Sequence, residues 1–423
     1  MGDPGVSADR PRVLILGGGF AGVGAAKKLE KADAEVVLVD RHDYHTFQPL
    51  LYQLATGLLE TTAVGHSLRD LLERQENTSV HKGTVNAIDL DAREVRFEEL
   101  APLTYDYLVL GLGAEVNFFG TEGTEEHAYP MYTLPNAVRL KDHLLERWEA
   151  AERDPSIVED GALNVVIVGG GPTGVETAGA VAELYRADFA GDYPSLPQAE
   201  AHISLVEAGP ELFSMFKPKI REYTAKALAD RTVEVRTGAT VASVSPTRVT
   251  LNSGEELKAH TLVWGAGLQG NRLVQSLGLE LERGNRIGVG PDLAVPSHPE
   301  VYALGDIAAI VDEKTEQVLP QLGSVALQSG EHAGESIARK LAGKDTKPFA
   351  YKDKGTMAAI GRRAAVVQML GGKTMTGTKA QLAWATVHLA LLPTNEDRAK
   401  AVVDWAGATF SHQRVGRITV ESE

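Results

Sequence analysis

The chain has 423 residues, 43% of them hydrophobic and 23% charged, which is typical of a globular protein with two or three domains. Its formal net charge of -15 argues against a nucleic-acid partner, because binding to phosphate requires a basic surface. The chain has no cysteine, which excludes a redox disulfide, a cysteine-ligated metal or cluster and a cysteine nucleophile, so electron transfer would require a bound organic cofactor or a metal held by other residues.

From the first residues we expect no export signal. Met1 to Pro11 are polar and lack a basic start followed by an apolar run. The chain also has no stretch of about 18 apolar residues, the length that a membrane-spanning helix requires. We therefore expect a cytoplasmic protein without a transmembrane segment.

The first glycine-rich segment follows an apolar strand predicted at 12–16. Residues 17–22 have the sequence GGGFAG, and a helix of small residues and a strand at 35–39, ending at Asp40, follow. This order predicts a βαβ unit that binds a dinucleotide. Glycines let the backbone approach a pyrophosphate, the helix N-terminus attracts its charge, and the acid accepts hydrogen bonds from the adenosine ribose.

A second module repeats this order later in the chain. Residues 169–174, with the sequence GGGPTG, follow a predicted strand at 164–168 and precede a helix from 175 to about 185, and a strand at 202–206 ends at Glu207. Further along, both modules have alternating strands around a glycine and then an apolar strand with paired glycines: Gly83, Gly111 and Gly113 in the first, and Gly238, Gly265 and Gly267 in the second. The repeated order predicts a duplicated dinucleotide-binding fold.

Glu207 indicates which nucleotide the second module binds. A carboxylate at this position repels a 2'-phosphate, so it favours NADH over NADPH. An ordinary carboxylate at the end of a strand is the alternative. Two dinucleotide sites in one chain imply a fixed redox cofactor and a diffusing one, and FAD with NADH is the commonest such pair.

Two other patterns resemble sites, and we interpret both as structural. His42 and His45 are the nearest candidates for a metal site, but a loop pair is more often hydrogen-bonded to the chain, and we predict no metal. Gly265, Gly267 and Gly270 also have fingerprint spacing after a strand. Because no small-residue helix and acid-ended strand follow them, we predict a turn there.

Further segments carry a resemblance to a known family. The two fingerprints together with residues 300–306, EVYALGD, resemble the two-dinucleotide-binding flavoprotein superfamily. Residues 47–57, FQPLLYQLATG, with 171–176, GPTGVE, and 262–267, LVWGAG, look like type II NADH dehydrogenases. The resemblance covers nearly the whole chain. It implies an α/β fold with two Rossmann-like domains, and transfer of hydride from NADH to bound FAD and of electrons to a membrane quinone without ion pumping.

The resemblance also implies how the chain is divided. Residues 1–127 and 285–345 would form the FAD-binding domain, 128–284 the NADH-binding domain, and 346–423 a C-terminal α/β tail with amphipathic helices for membrane docking or dimer contact. The predicted FAD-binding residues are Gly17, Gly19, Phe20, Ala21, Gly22, Asp40, Arg41, Gln48, Gly113, Gly305 and Asp306. The predicted NADH-binding residues are Gly169, Gly171, Thr173, Gly174, Glu207 and Gly267.

Two predicted catalytic residues, both implied by the resemblance, have structural alternatives. Glu176 corresponds to a family glutamate near the nicotinamide and flavin, but Thr173 and Glu176 also have the spacing of a helix capping box. Gln328 corresponds to the second glutamine of a family pattern at the quinone pocket, in which Ser324 replaces the first. For Gln328 the alternative is an ordinary amide on a helix face.

The C-terminal segment predicts two amphipathic helices, at 381–392 and 397–410. Trp384, Val387 and Leu391 have helical spacing, as do Val402 and Trp405, so these faces could lie in a membrane interface. Packing in a core or a dimer contact is the alternative. We expect a homodimer bound peripherally to the cytoplasmic side of the cell membrane.

Two other functions remain open from the sequence. The chain could be a soluble flavin NADH oxidase, or a reductase for another small acceptor, and the replacement at Ser324 favours caution about quinone. It could also be a non-catalytic flavin or NADH sensor that binds a partner through its C-terminal helices. Both nucleotide sites look intact, which argues for turnover.

Overall fold

The computed structural model describes residues 10–196 and 200–410, so the end of the predicted region 346–423 lies outside the described residues. Within them the chain forms two compact units. The first comprises 10–46, 66–115 and 268–352, and the second comprises 47–65, 116–267 and 353–410. The functional boundaries after residues 127, 284 and 345 stay predictions, because compactness alone does not show what a domain binds.

A six-stranded sheet forms the core of the first unit. Its strands follow the order Ala294–Val295, His298–Ala303, Tyr107–Leu110, Arg12–Leu16, Glu35–Asp40 and Thr78–Lys82. The last five strands of this order are parallel to one another, and the edge pair is antiparallel. Residues 13–16 are fully buried, as expected for the apolar centre of a parallel sheet that is covered on both faces.

Two helices of the first unit, Phe20–Lys28 and Gly323–Leu341, pack closely together. A Cβ atom added to Gly330 would overlap the carbonyl oxygen of Ala21, and one added to Gly334 would lie 2.5 Å from that of Ala25. Small residues on both helices are therefore required for this approach. The second helix thus supports the start of the first, directly behind the glycine-rich segment.

The remaining elements of the first unit are short. The helix Leu68–Leu72 is capped by Ser67, whose Oγ accepts a hydrogen bond from the Asp70 amide at 3.3 Å. The short helical turns are Arg272–Ser276 and Gly305–Ile307. The other strands are Tyr44–Thr46, Val85–Asp89, Glu94–Phe97, Leu103–Thr104, Leu268–Gly270, Leu281–Glu282, Arg286–Gly288, Ala308–Ala309, Val311–Asp312 and Gln317–Val318. Gly65–Ser67 and Ala114–Val116 lie where the chain passes from one unit to the other.

A five-stranded parallel sheet forms the core of the second unit. Its order is Ala128–Pro130, Thr261–Trp264, Val165–Val168, Ile203–Glu207 and Val233–Thr237. Each strand corresponds in position to one of the five parallel strands of the first unit. The duplication that the sequence predicts is therefore confirmed in the strand order.

Long helices cover the sheet of the second unit. Leu134–Arg153 buries Trp148, and Pro172–Glu183 continues directly into a π-helix, Leu184–Phe189. The Trp148 ring lies 4.9 Å from that of Phe189, centroid to centroid, so an aromatic cluster joins these helices. The other helices and helical turns of the second unit before residue 353 are Gln48–Leu50, Leu51–Ala55, Thr61–Ala63, Thr124–His127, Pro155–Val158, Ala190–Asp192 and Pro218–Ala229. The other strands in the same part of the unit are Val241–Val244, Arg248–Leu251 and Glu256–Lys258.

The C-terminal part of the second unit begins with a three-stranded antiparallel sheet. Its strands are Thr356–Gly361, Ala364–Gln368 and Thr374–Thr376, with a helical turn at Leu370–Gly372. The two predicted C-terminal helices are confirmed as Thr378–Leu391 and Asn395–Phe410. In the part of the chain that the structure describes, every helix is too short or too polar to cross a membrane.

The third glycine pattern differs from its prediction. Residues Leu268–Gly270 form a short strand rather than part of a turn, and a short helical turn, Arg272–Ser276, follows. The prediction of a turn there is therefore wrong for Gly270. As the sequence predicts, the pattern does not begin a third βαβ unit. The strand after it is too short, and no α-helix follows the glycines.

Candidate active site

The first fingerprint is a tight turn between the strand Arg12–Leu16 and the helix that follows. Gly17 has φ +106°, a conformation that favours glycine, and its amide donates to the Val39 carbonyl at 2.8 Å. A Cβ atom on Gly22 would overlap the carbonyl oxygen of Gly17, whereas one on Gly19 would meet no atom within 4 Å. The first and last glycines are therefore needed by the fold, and Gly19 borders open space through which a ligand can approach.

The second fingerprint has the same geometry. Gly169 has φ +113°, and its amide donates to the Val206 carbonyl at 2.9 Å. A Cβ atom on Gly174 would overlap the carbonyl oxygen of Gly169, whereas one on Gly171 would meet no atom within 4 Å. The two turns thus repeat each other in detail.

No side chain caps the helix that begins at either fingerprint. Phe20–Lys28 begins after Gly19, and Pro172–Glu183 begins after Gly171, with no hydrogen bond from a capping side chain. The amides of a helical first turn have no partner within the helix, and together with the helix dipole they favour an anion. Both starts are therefore suited to the pyrophosphate of a dinucleotide.

Asp40 and Glu207 occupy equivalent positions at the ends of their strands. One oxygen of each accepts a hydrogen bond from the amide of the middle fingerprint glycine, Gly18 at 2.6 Å and Gly170 at 2.5 Å. The other oxygen accepts from the amide two residues further along the chain, at 2.7 and 2.6 Å. Each oxygen keeps a second acceptor position. The carboxylates therefore stabilise the turns, as the structural alternative predicts, and can still accept from ribose hydroxyls.

Paired glycines follow the strand beside each fingerprint strand. Gly111 donates its amide to Leu16 at 2.8 Å, and Gly265 donates to Val168 at 2.9 Å. Two residues later Gly113 and Gly267 have φ +69° and +70°. These glycines continue the duplicated geometry beyond the fingerprints and border the same end of each sheet.

The Gly305-Asp306 pair lies beside the first fingerprint. Gly305 has φ +63°, and its amide donates to the Ser329 hydroxyl at 3.1 Å. A Cβ atom on Gly305 would lie 3.5 Å from the Cβ of Ala21. The structure thus brings two predicted groups of one site together from segments far apart in sequence. Arg41 is exposed in the same unit, whereas Gln48, also predicted to bind FAD, belongs to the second unit.

The side chain of Gln328 is bonded to the backbone of the first unit. Its Nε2 donates to the Lys352 carbonyl at 3.1 Å, and its Oε1 accepts from the Lys352 amide at 3.0 Å. Ser324, one turn earlier, lies 2.9 Å from the Tyr351 hydroxyl. These bonds support the structural alternative for Gln328, and its catalytic role stays a prediction.

Glu176 is half-buried on the helix Pro172–Glu183, and its Oε1 accepts a hydrogen bond from the Ala359 amide at 3.0 Å. Burial raises the pKa of this carboxyl to about 8, against the lowering effect of the Ala359 bond. The capping-box alternative is wrong, because the helix begins two residues too early for Thr173 to be its N-cap residue. Gly171 is the N-cap residue, and the side chain of Glu176 extends to another segment instead.

A cavity of about 610 Å³ adjoins Glu176 within the second unit. Volumes of this size are typical of sites for small organic ligands. Apolar side chains such as Leu58, Leu382 and Trp384 line part of its wall, and Arg363 and Gln381 contribute polar groups. Sequence reasoning did not place a cavity here, because its lining comes from five separate segments.

A chain of hydrogen bonds in the cavity wall involves residues that sequence reasoning missed as site residues. Trp405 Nε1 donates to Gln53 Oε1 at 2.7 Å, and Gln53 Nε2 donates to the Tyr52 hydroxyl oxygen at 2.9 Å. Burial, and then the charge of Glu176, raise the pKa of Tyr52 well above its usual value. The family-like string at 47–57 was the signal that could have identified Tyr52 and Gln53.

The predicted apolar faces of the C-terminal helices are only partly exposed. Trp384 is 1% exposed and stacks on His388 at 4.1 Å between ring centroids, so its assignment to a membrane-facing surface is wrong. Leu382, Val387 and Leu391 are 69%, 39% and 49% exposed. A helix with a buried tryptophan on one side and exposed leucines on another has two apolar faces, which helical spacing alone did not separate.

His45 has a structural role beneath the first fingerprint. It is buried, and its Nδ1 lies 3.0 Å from the Gly18 carbonyl oxygen, to which the neutral ring can donate. Burial lowers the pKa of His45 to about 4. Within the described residues, no group of three or more histidine, aspartate and glutamate side chains is arranged to hold a metal.

Several known proteins are similar to this chain in sequence or in fold. The family model of the pyridine nucleotide-disulphide oxidoreductases matches residues 11–330. The type II NADH:quinone oxidoreductase NdhA of Mycobacterium tuberculosis is 34% identical, covering 100% of this chain and 92% of its own, and that of Staphylococcus aureus is 30% identical, covering 89% and 93%. NDH2 from Plasmodium falciparum in complex with NADH has a TM-score of 0.89 at 19% identity, covering 97% of this chain and 100% of its own, and so has the same fold.

Proposed function

The chain belongs to the type II NADH:quinone oxidoreductases of the pyridine nucleotide-disulphide oxidoreductase family, and from this membership we propose that it oxidises NADH with bound FAD and reduces a quinone without pumping ions. The observation that carries the proposal is the duplicated fingerprint. Each copy combines an open glycine position, an uncapped helix start and a carboxylate at the strand end, which together suit a dinucleotide.

The first unit fits FAD as its resident cofactor. Open space at Gly19 and the uncapped start of Phe20–Lys28 suit the pyrophosphate, and Asp40 retains acceptor positions for the ribose. The residues of this unit that would hold FAD are Gly17, Gly19, Phe20, Ala21, Gly22, Asp40, Arg41, Gly113, Gly305 and Asp306, and the role of Gln48 stays a prediction. FAD bound there would accept hydride from NADH and would then transfer two electrons to the quinone.

The second unit fits NADH as the exchanging nucleotide. Pro172 has no amide proton, so the first donors of this helix are the amides of Thr173 and Gly174. Glu207 repels a 2'-phosphate and so selects against NADPH. Gly169, Gly171 and Gly267 complete the set that would surround the nucleotide.

The composition supports a small-molecule acceptor. Transfer of electrons from a flavin to a disulfide through the protein requires at least one cysteine thiol, and this chain has no cysteine. Its own side chains therefore cannot relay electrons to a disulfide. A quinone needs no such relay, because electrons can pass to it directly.

We assign the cavity beside Glu176 to the quinone head group. The reaction of NADH, one proton and quinone to NAD+ and hydroquinone takes up one proton overall. With a pKa of about 8, Glu176 holds a proton at neutral pH and would deliver it to a quinone oxygen. The predicted role of Gln328 toward quinone is separate from this cavity, and the second N–H of its amide would be the donor.

We also propose peripheral binding to the cytoplasmic face of the cell membrane, and a homodimer. Exposed apolar side chains on the two C-terminal helices support the membrane part of this proposal. They are Leu382, Val387, Leu391, Val402 and Val403. Apolar side chains that are exposed on neighbouring helices can enter the interfacial layer of a bilayer without a membrane-spanning segment.

The colour of the purified protein tests the proposed function. Protein with bound FAD is yellow, should be bleached by NADH without oxygen, and should regain its colour on addition of a short-chain ubiquinone. Protein that stays colourless after incubation with FAD would refute the assignment. Bleached protein that oxygen recolours but ubiquinone does not would support a flavin oxidase instead.

A further inference from the structure

We propose that the hydroxyl of Tyr52 donates a hydrogen bond to a carbonyl oxygen of the quinone, and that Gln53 and Trp405 set the direction of this donation. The inference rests on the proposed function of the cavity. It adds a substrate-binding residue and two positioning residues, one of which comes from the last described helix, Asn395–Phe410.

The direction follows from the chemistry of the three side chains. An indole N–H can only donate, so the group of Gln53 that faces Trp405 must be its amide oxygen. The amide nitrogen therefore faces Tyr52, and Tyr52 accepts the hydrogen bond at 2.9 Å. A phenol that accepts from one neighbour must direct its own proton elsewhere. Within the described part of the chain, no acceptor for the Tyr52 proton is found.

The free donor lies at the cavity. Tyr52 and Gln53 line it together with Glu176 and Trp405, so a ligand inside it can reach the hydroxyl. Tyr52 is 7% exposed, and a buried phenol without a partner for its proton is costly. A quinone carbonyl oxygen accepts hydrogen bonds but cannot donate, which matches this wall. Tyr52 keeps its proton at working pH, because burial raises its pKa.

Each of the three residues has a different role in this arrangement. Tyr52 touches the substrate, Gln53 holds the phenol oxygen, and Trp405 prevents the amide from reversing. Loss of the Tyr52 hydroxyl should therefore weaken quinone binding most. Loss of the Trp405 N–H should weaken it less, because the amide can then adopt both orientations and only some of them leave the Tyr52 proton free.

The test compares acceptors in the FAD-loaded full-length protein. For Tyr52→Phe we expect the KM for a short-chain ubiquinone to rise about tenfold, the effect of losing one hydrogen bond of about 1.4 kcal/mol. The KM for NADH and the rate with ferricyanide, which needs no hydrogen bond, should not change. Trp405→Phe should raise the quinone KM two- to fivefold, about 0.4 to 1 kcal/mol.

Tyr193→Phe is the matched control. It also removes a buried phenol, one that donates to Glu149 at 2.9 Å in the same unit, but Tyr193 is not part of the cavity wall. Its quinone KM should be unchanged. If wild-type protein reduces ubiquinone and Tyr52→Phe has an unchanged quinone KM, the proposed hydrogen bond from Tyr52 is wrong. The proposed function as a quinone reductase would not be affected by that result. If Tyr52→Phe does not fold, an unchanged KM in Trp405→Phe refutes the positioning role. Wild-type protein that reduces ferricyanide but not ubiquinone would instead contradict the proposed function.

Discussion

Glu176 has a side chain whose chemistry is changed by its surroundings. In water a glutamate is charged at neutral pH, but burial raises the pKa of this carboxyl to about 8, although the hydrogen bond from the Ala359 amide lowers it. The group is therefore protonated below that pH and charged above it. A proton donor with this pKa should work well at neutral pH and fail in alkaline solution.

The pH dependence of quinone reduction tests this role. In wild-type protein the rate should fall as the pH rises through about 8, because the donor loses its proton. Glu176→Gln keeps the bond from Ala359 but has no proton to give, so its rate should be lower by about tenfold or more and should lack the alkaline decline. Initial rates between pH 6 and 9.5 measure this, with ferricyanide as the control acceptor. An equal alkaline decline in the variant would show that another group titrates.

Glu207 combines two roles in one side chain. Its oxygens bond two amides of the turn, and in the proposed NADH site its charge would repel the 2'-phosphate of an NADPH molecule. Removal of the charge should therefore affect nucleotide choice more than folding.

For Glu207→Gln we expect the ratio of kcat/KM for NADPH to that for NADH to rise about tenfold, equivalent to about 1.4 kcal/mol. Glu234→Gln on the neighbouring strand is the control, because it removes the same charge without touching the fingerprint. Steady-state kinetics with both nucleotides give the ratio. A ratio that stays at the wild-type value would leave Glu207 with a structural role only.

At the scale of elements, each fingerprint contains glycines that the fold needs and one glycine beside open space. Gly174 has no room for a side chain because of the Gly169 carbonyl, whereas Gly171 has open space around its Cβ position. This contrast gives a direct way to block a nucleotide without damage to the strand–turn–helix unit.

Gly171→Ala should raise the KM for NADH about tenfold or more, because its methyl group occupies the approach of the pyrophosphate. Its melting temperature and FAD content should equal those of wild type. Gly174→Ala should also lower the melting temperature, since the turn must open to admit the methyl group. Thermal unfolding followed by flavin fluorescence, together with NADH titration, separates the two effects. Normal NADH kinetics in Gly171→Ala would mean that the nucleotide binds elsewhere.

At the scale of the whole molecule, the C-terminal helices contribute buried contacts to the fold as well as exposed apolar side chains to the surface. Trp384 is buried and Trp405 bonds Gln53, so deletion of both helices would expose core and remove part of the cavity wall. Membrane binding is better tested by changing exposed side chains alone, which leaves those contacts in place.

Leu382→Ser combined with Leu391→Ser should weaken binding to anionic liposomes about tenfold or more, because each exposed leucine that enters the bilayer contributes about 1.5 to 3 kcal/mol. The rate with ferricyanide, which does not require the cavity that Leu382 lines, should persist. Val311→Ser combined with Val318→Ser changes exposed apolar residues of the first unit and serves as the control. Sedimentation with liposomes measures the bound fraction. Undiminished sedimentation of the leucine variant would place the membrane contact on another surface.

The sequence by itself determined where the two glycine-rich turns and the acids at the ends of their next strands lie. Glycine spacing, the strand before it and the acid at the end of the next strand are local features, so both fingerprints, Asp40 and Glu207 could be located without a structure. The duplicated strand order followed from the same repeat. Local spacing succeeds here because the turn geometry depends on neighbouring residues.

Only the tertiary structure decided what surrounds the cavity. Glu176 bonds Ala359 across 183 positions and Gln53 bonds Trp405 across 352, so no local pattern links them. Helical spacing likewise grouped Trp384 with Leu391, although one is buried and the other exposed. Periodicity shows that a face is apolar, but burial depends on which segment packs against it, and that is decided by contacts between residues far apart in the chain.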